Sequence, residues 1–146
     1  MFTFSNRSKQ RLMGVHPNLV HVVERALELS SVDFMVVEGF RTLARQQELY
    51  AQGRTTPGKI VTWTMQSKHL AGSAVDIAPV DASGKILWED VEAFDQMAAA
   101  MFAAAEELGV PIRHGGDWDG DGVPRERGET DLVHFELVPA NDIPNR

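Results

Sequence analysis

The chain contains no cysteine among its 146 residues. That excludes disulfides, thiolate metal sites and a cysteine nucleophile, and leaves histidine and carboxylate as ligands for any transition metal. Positive charge is scarce: 14 lysines and arginines stand against 21 aspartates and glutamates, a formal charge of −7. A nucleic-acid partner, which needs a cationic footprint on phosphates, is not expected, nor is a basic amphipathic membrane helix. No apolar run approaches the roughly 20 residues of a membrane span. Met1-Phe2-Thr3-Phe4-Ser5-Asn6-Arg7 has no apolar core of signal-peptide length. Internal repeats and low-complexity linkers are missing too. The expectation is a single domain over residues 1–146, monomeric, made in the cytoplasm and not inserted in a membrane. Action outside the cytoplasm would need release by something else.

What is present suits a packed core, since 43% of the residues are hydrophobic. Ser5 or Asn6 can cap a short helix to about Met13. Pro17 suits the first turn of a second helix to about Ser30, with Leu19, Val22, Val23, Ala26, Leu27 and Ser30 on one face. Phe34 to Val37 reads as a strand, and Thr42 as the cap of a helix from Leu43 to about Gln52. Short strands are expected at Val61–Met65 and Ala74–Ala78, with Lys85–Trp88 returning as a hairpin partner. The longest helix should run from Val91 to Leu108, stopped by Gly109. Pro111–His114 and Val133–Val138 read as two further strands around a Gly- and Asp-rich loop. Helices and strands mix without regular βαβ alternation, which favours an α+β fold with a small antiparallel sheet flanked by helices.

Two segments carry chemistry: Ser67-Lys68-His69-Leu70-Ala71-Gly72-Ser73-Ala74-Val75-Asp76, and Asp131-Leu132-Val133-His134-Phe135-Glu136. A catalytic zinc takes three protein ligands and keeps one open position for water. His69, Asp76 and His134 can supply those ligands if the Gly72 turn folds the chain back. Asp131, three residues before His134, is placed to act as general base toward a water made acidic by the metal. The pattern alone also permits a plainer reading. Asp76 could face solvent on an alternating strand, and the histidines could be packing residues.

The residues Ser67-x-His69-x-x-Gly72-x-Ala74-x-Asp76 followed by Asp131-x-x-His134 resemble the paired motifs of the D-Ala-D-Ala carboxypeptidase-like zinc peptidases. Within that group the chain is most similar to the L-alanyl-D-glutamate endopeptidases of bacteriophage endolysins. Val15-His16-Pro17, Glu38-Gly39-Phe40-Arg41-Thr42 with Gln46 behind it, Gly115-Gly116-Asp117-Trp118 and His134-Phe135-Glu136-Leu137 extend the resemblance over most of the chain. It implies an α+β fold shared with the hedgehog signalling domain, His69, Asp76 and His134 as zinc ligands, and Asp131 as base. The chain departs from relatives in having His114 where Trp is common and Leu132-Val133 where Gly-Pro is common.

Arg41 can stabilise an oxyanion or hold a substrate carboxylate, a role the family also suggests; the alternative is a surface pair with Glu38 or Glu48. Ser67 is a candidate substrate contact or partner of His69, and Trp118 a candidate cleft wall. Glu136 shares a strand face with His134 and can orient it or compete with Asp131 as base. His16 and His21 read as structural, and His114 as a residue near the pocket. Asp117, Asp119 and Asp121 with Gly122 open like an EF-hand loop, although Gly128 stands at the twelfth position. Calcium is therefore a second candidate cofactor beside zinc, weighed against a solvated acidic turn.

The reading is a zinc endopeptidase that cuts L-Ala–D-Glu in peptidoglycan and reaches the wall through a holin-type pore. The alternatives are a D-Ala-D-Ala carboxypeptidase or dipeptidase with the same site, a non-catalytic zinc-bearing wall-binding module, and a calcium-dependent structural domain of a phage particle.

Overall fold

The computed structural model describes residues 2–60, 72–115 and 131–138. Helix α1 (Asn6–Arg11) starts at Ser5, whose hydroxyl accepts from the Ser8 N–H. Helix α2 (Pro17–Leu29) begins with proline at its first position and is capped by the His16 ring. Its Leu19, Val22, Val23, Ala26 and Leu27 form the buried face, while Ser30 falls just beyond the helix as its C-cap. Strand β1 (Phe34–Glu38) leads to α3 (Leu43–Ala51), capped by Thr42. Strand β2 (Ala74–Pro79) precedes α4 (Val91–Leu108), which runs from the Asp90 cap to a left-handed Gly109. Strands β3 (Ile112–His114) and β4 (His134–Leu137) complete the described elements.

The four strands form one sheet in the order β1-β2-β4-β3, and every pairing is antiparallel. One face is apolar. Phe34, Val36, Val75, Ile77 and Phe135 are buried there in a cluster with α2 and α4 residues. Helix α4 contacts β2 and β3, and α2 packs on α4. The alanines Ala93, Ala100, Ala104 and Ala105 on its buried stripe keep α4 slim enough for close approach. Each fully buried Val, Leu, Ile or Phe contributes about 1.5–3 kcal/mol, so this layer holds the sheet's register.

Among the described strands β1 is an edge, and edges leave backbone groups unpaired. Helix α1 covers this one. Val36 N–H donates to the buried Ser8 hydroxyl (3.1 Å), and Arg11 Nη1 donates to Val36 O (2.9 Å).

Lys85–Trp88 does not form the expected return strand. A single bridge joins Val80 and Ile86. Asp81 Oδ1 gathers Ser83 N, Ser83 Oγ and Lys85 N into a tight turn. The chain then bends at Leu87 toward the Asp90 cap, which ends the ladder after one step. The expected strand at Val61–Met65 lies outside the described residues. Among those described, no helix is long and apolar enough to cross a membrane.

Candidate metal and catalytic site

The sheet face opposite the core carries the polar residues. On β2, Val75 and Ile77 are fully buried, so strand alternation turns Asp76 the other way. Register places Asp76 opposite His134 on β4. His134 Nδ1 lies 3.1 Å from Asp76 Oδ1, and its Nε2 lies 3.0 Å from Glu136 Oε1. Glu136 is two residues along the same strand, shares that face and is buried. The Arg113 guanidinium stands 3.9 Å from its other oxygen.

Burial by itself would lower the pKa of His134. Hydrogen bonds to Asp76 and Glu136, with the charges of Asp76 and Asp131, outweigh it and raise the pKa to about 9. Without metal the ring is therefore an imidazolium donating to two carboxylates. A site that gathers acids around a buried cation is chemically suited to a metal cation in the proton's place. The spacing agrees. Two ligands each about 2.0–2.2 Å from a tetrahedral zinc stand roughly 3.3–3.6 Å apart, so the Asp76–His134 contact, 3.1 Å as a hydrogen bond, need open only by a few tenths of an ångström. Nε2–H directed at Glu136 is the carboxylate partner that metal-binding histidines commonly have. Two of the three expected ligands thus converge. The third, His69, lies outside the described residues, as do Ser67, Trp118 and the candidate calcium ligands Asp117, Asp119 and Asp121. Among the described residues no group of three potential ligands is assembled.

Asp131 is exposed at the turn before β4, and its carbonyl accepts from His134 N–H at 3.2 Å. Gly115 holds it there. Gly115 N donates to His134 O (2.9 Å), and Asp131 N donates to Gly115 O (3.3 Å). A Cβ at Gly115 would press on the Asp131 carbonyl and lie 2.8 Å from its Cβ. Glycine is required by close approach, a constraint that its place in the Gly115-Gly116-Asp117-Trp118 match did not reveal.

Arg41 follows β1. Its Nε and Nη2 donate to the two oxygens of Glu38 (2.8 and 2.7 Å), and its Nη1 donates to Gln46 Oε1 (2.6 Å). Glu38 is the partner proposed for a surface pair; Glu48 instead pairs with Arg45. Arg41 is nevertheless not a surface residue, for its side chain is only 10% exposed. Gln46, fully buried in α3, entered the sequence reading only as part of a family pattern.

His16 and His114 serve the fold, while His21 is exposed on α2. His16 caps α2, and its N–H donates to Gly72 O at 2.8 Å. His114 is on the core side, stacked on Phe135 with ring centroids 4.2 Å apart and Nε2 donating to Leu132 O at 2.9 Å. Burial lowers its pKa.

The chain was compared with known proteins. The family model for phage L-alanyl-D-glutamate peptidase matches residues 1–138. The L-alanyl-D-glutamate peptidase of Escherichia phage T5 is 40% identical over 140 residues, covering 94% of this chain and 98% of that protein. The peptidoglycan L-alanyl-D-glutamate endopeptidase CwlK of Bacillus subtilis (strain 168) is 33% identical over 110 residues, covering 74% of this chain and 62% of that one. Among solved structures, the Serratia marcescens L-Ala D-Glu endopeptidase ChiX has the same fold, with a TM-score of 0.74 and 37% identity over 92% of this chain and 89% of its own.

Proposed function

The chain belongs to the phage L-alanyl-D-glutamate peptidase family, and from that premise we propose that it is a zinc endopeptidase of peptidoglycan stem peptides, cutting L-Ala–D-Glu. His69, Asp76 and His134 would hold the zinc. The observation that carries this reading is the meeting of Asp76 and His134 across β2 and β4, with Glu136 behind the ring. Zinc, when bound, supplies Lewis acidity and makes water a competent nucleophile near neutral pH.

The protein's own groups do the rest. Glu136 accepts from His134 Nε2 and fixes the ring's tautomer and plane. The Asp131 carboxylate takes the proton of the attacking water and returns it to the departing amine nitrogen of D-Glu. Its placement beside His134, held by Gly115, supports that role. Arg41 offers a fixed cation to the developing oxyanion or to a substrate carboxylate. The wall is the site of action, reached after release from the cytoplasm, and the chain works as a monomer.

Mass spectrometry of purified muropeptides after incubation with zinc-loaded protein tests the proposal. New C-terminal L-Ala and N-terminal D-Glu are expected. Free D-alanine would point to the carboxypeptidase, and intact muropeptides to a wall-binding module.

A further inference from the structure

Strand β1 does not run regularly to its end. Phe34, Met35 and Val36 pair with Pro79, Ala78 and Ile77, but Glu38 pairs with Asp76, so one extra residue, Val37, is inserted as a bulge. In an unbroken ladder Val37 would stand opposite Asp76, and Glu38 would stand opposite Val75, on the core face. The bulge reverses this. It brings Glu38 into the row that continues through Asp76 to His134.

Glu38 carries Arg41 with it. The two parallel N–H···O bonds fix both the distance and the plane of the guanidinium. Gln46 adds a third contact from α3, at an angle the carboxylate does not cover. A fully buried glutamine is costly unless its amide is bonded, and here its oxygen is spent on Arg41. Gly39, between Glu38 and Arg41, packs against α1 and the turn after it, since a Cβ there would meet the Arg11 carbonyl and Val15.

We propose that Glu38 and Gln46 are positioning residues for catalysis: they set the Arg41 guanidinium at the end of the Asp76–His134 row before substrate arrives. The proposal rests on the reading of Arg41 as a substrate- or oxyanion-binding cation. A long arginine held this way loses its rotamer freedom during folding instead of during turnover, which is how preorganised charge aids a reaction.

The test is a kinetic cycle on zinc-loaded protein with purified muropeptide, using Glu38→Gln, Gln46→Met, Arg41→Ala and the doubles. Each positioning variant should lower kcat/KM about tenfold or more. It should do so through whichever of kcat and KM Arg41→Ala changes. On top of Arg41→Ala neither should have any further effect. In 15N NMR of zinc-free and zinc-loaded protein, the Arg41 Nε–H signal should be exchange-protected in wild type and lose that protection in Glu38→Gln, and the Nη1 protons should lose theirs in Gln46→Met. Wild-type kcat/KM in Glu38→Gln and Gln46→Met beside an impaired Arg41→Ala would overturn the positioning role alone. So would losses that multiply with Arg41→Ala. Wild-type kinetics in Arg41→Ala would overturn the reading of Arg41 and the positioning role with it. Glu38→Gln is isosteric and half-exposed, so it decides the matter even if Gln46→Met does not fold.

Discussion

The two faces of the sheet are built by the same strands and obey opposite rules. On one, Phe34, Val36, Val75, Ile77 and Phe135 are at most 2% exposed and wholly apolar. On the other, Glu38, Asp76, His134, Glu136 and Arg113 form a charged field tied by ion pairs. One residue of register separates them, so the packing that stabilises the first face also aligns the second. Stability and chemistry should therefore be separable by mutation, although they are one residue apart in sequence. The pair Asp76→Ala and Phe135→Ala tests this most strongly. Asp76→Ala should reduce muropeptide cleavage at least about 10³-fold, with bound zinc lost by elemental analysis and the fold intact. Phe135→Ala should cost about 3–5 kcal/mol and lower Tm by about 6–20 °C, with zinc still binding below the transition. Equal thermal losses in both variants, compared zinc-free and above about pH 9 where the His134 pairing no longer contributes, would contradict the division.

A subtler break strikes the link between the faces. Gly115 bonds His134 through its N–H and Asp131 through its carbonyl. With Asp131 as the proposed base, Gly115→Ala should push it aside and lower kcat about 10- to 100-fold, since small displacements of such a group are expensive. Zinc stoichiometry should stay at the wild-type value. Loss of zinc together with rate would mean that Gly115 serves the ligands and not the base.

Much of this was legible in the sequence. Helix α4 begins and ends where Val91, Leu108 and Gly109 predict, because cap chemistry and an apolar stripe agree there. Asp76 and His134 were identified by motif, and strand alternation brings them together. The Lys85–Trp88 strand stops after one bridge, unforeseen because apolar content says nothing of the bend at Leu87 that carries the chain to the Asp90 cap. The bulge at Val37 was invisible for a related reason. Phe34-Met35-Val36-Val37 has no alternation to betray where the register shifts, and only the pairing with β2 shows it. The clamp on Arg41 depends on that shift, so Glu38 looked like a surface partner.

The two histidines on opposite faces sharpen the comparison through pH. His134 is raised to about 9, so in zinc-free protein its contribution is complete below the ordinary value of 6.5 and disappears as pH rises through about 9. His114 is lowered, because burial keeps it neutral. Its contribution is complete above 6.5 and declines as pH falls below that value. Urea midpoints of zinc-free protein should therefore peak near pH 6.5 and fall on both sides of it. NMR should show the His134 ring titrating near 9 and the His114 ring titrating below 6.5. Two rings titrating together would remove the electrostatic difference between the faces.

The smallest effect is expected where α1 covers the sheet edge. Ser8 supplies the acceptor for Val36 N–H, one residue before the bulge. Ser8→Ala leaves that buried donor unmatched, at about 1–2 kcal/mol, or a Tm lower by about 2–8 °C. Ser8 touches none of the charged row, and the bulge is held from the other side by pairing with β2. Cleavage per folded molecule should therefore stay within about twofold of wild type, a change of at most roughly 0.4 kcal/mol in the barrier. A loss well beyond that, with Arg41 Nε–H protection gone, would show that α1 sets the bulge. Edge support and active-site register would then be one device, and the two faces of β1 would be coupled through Val36.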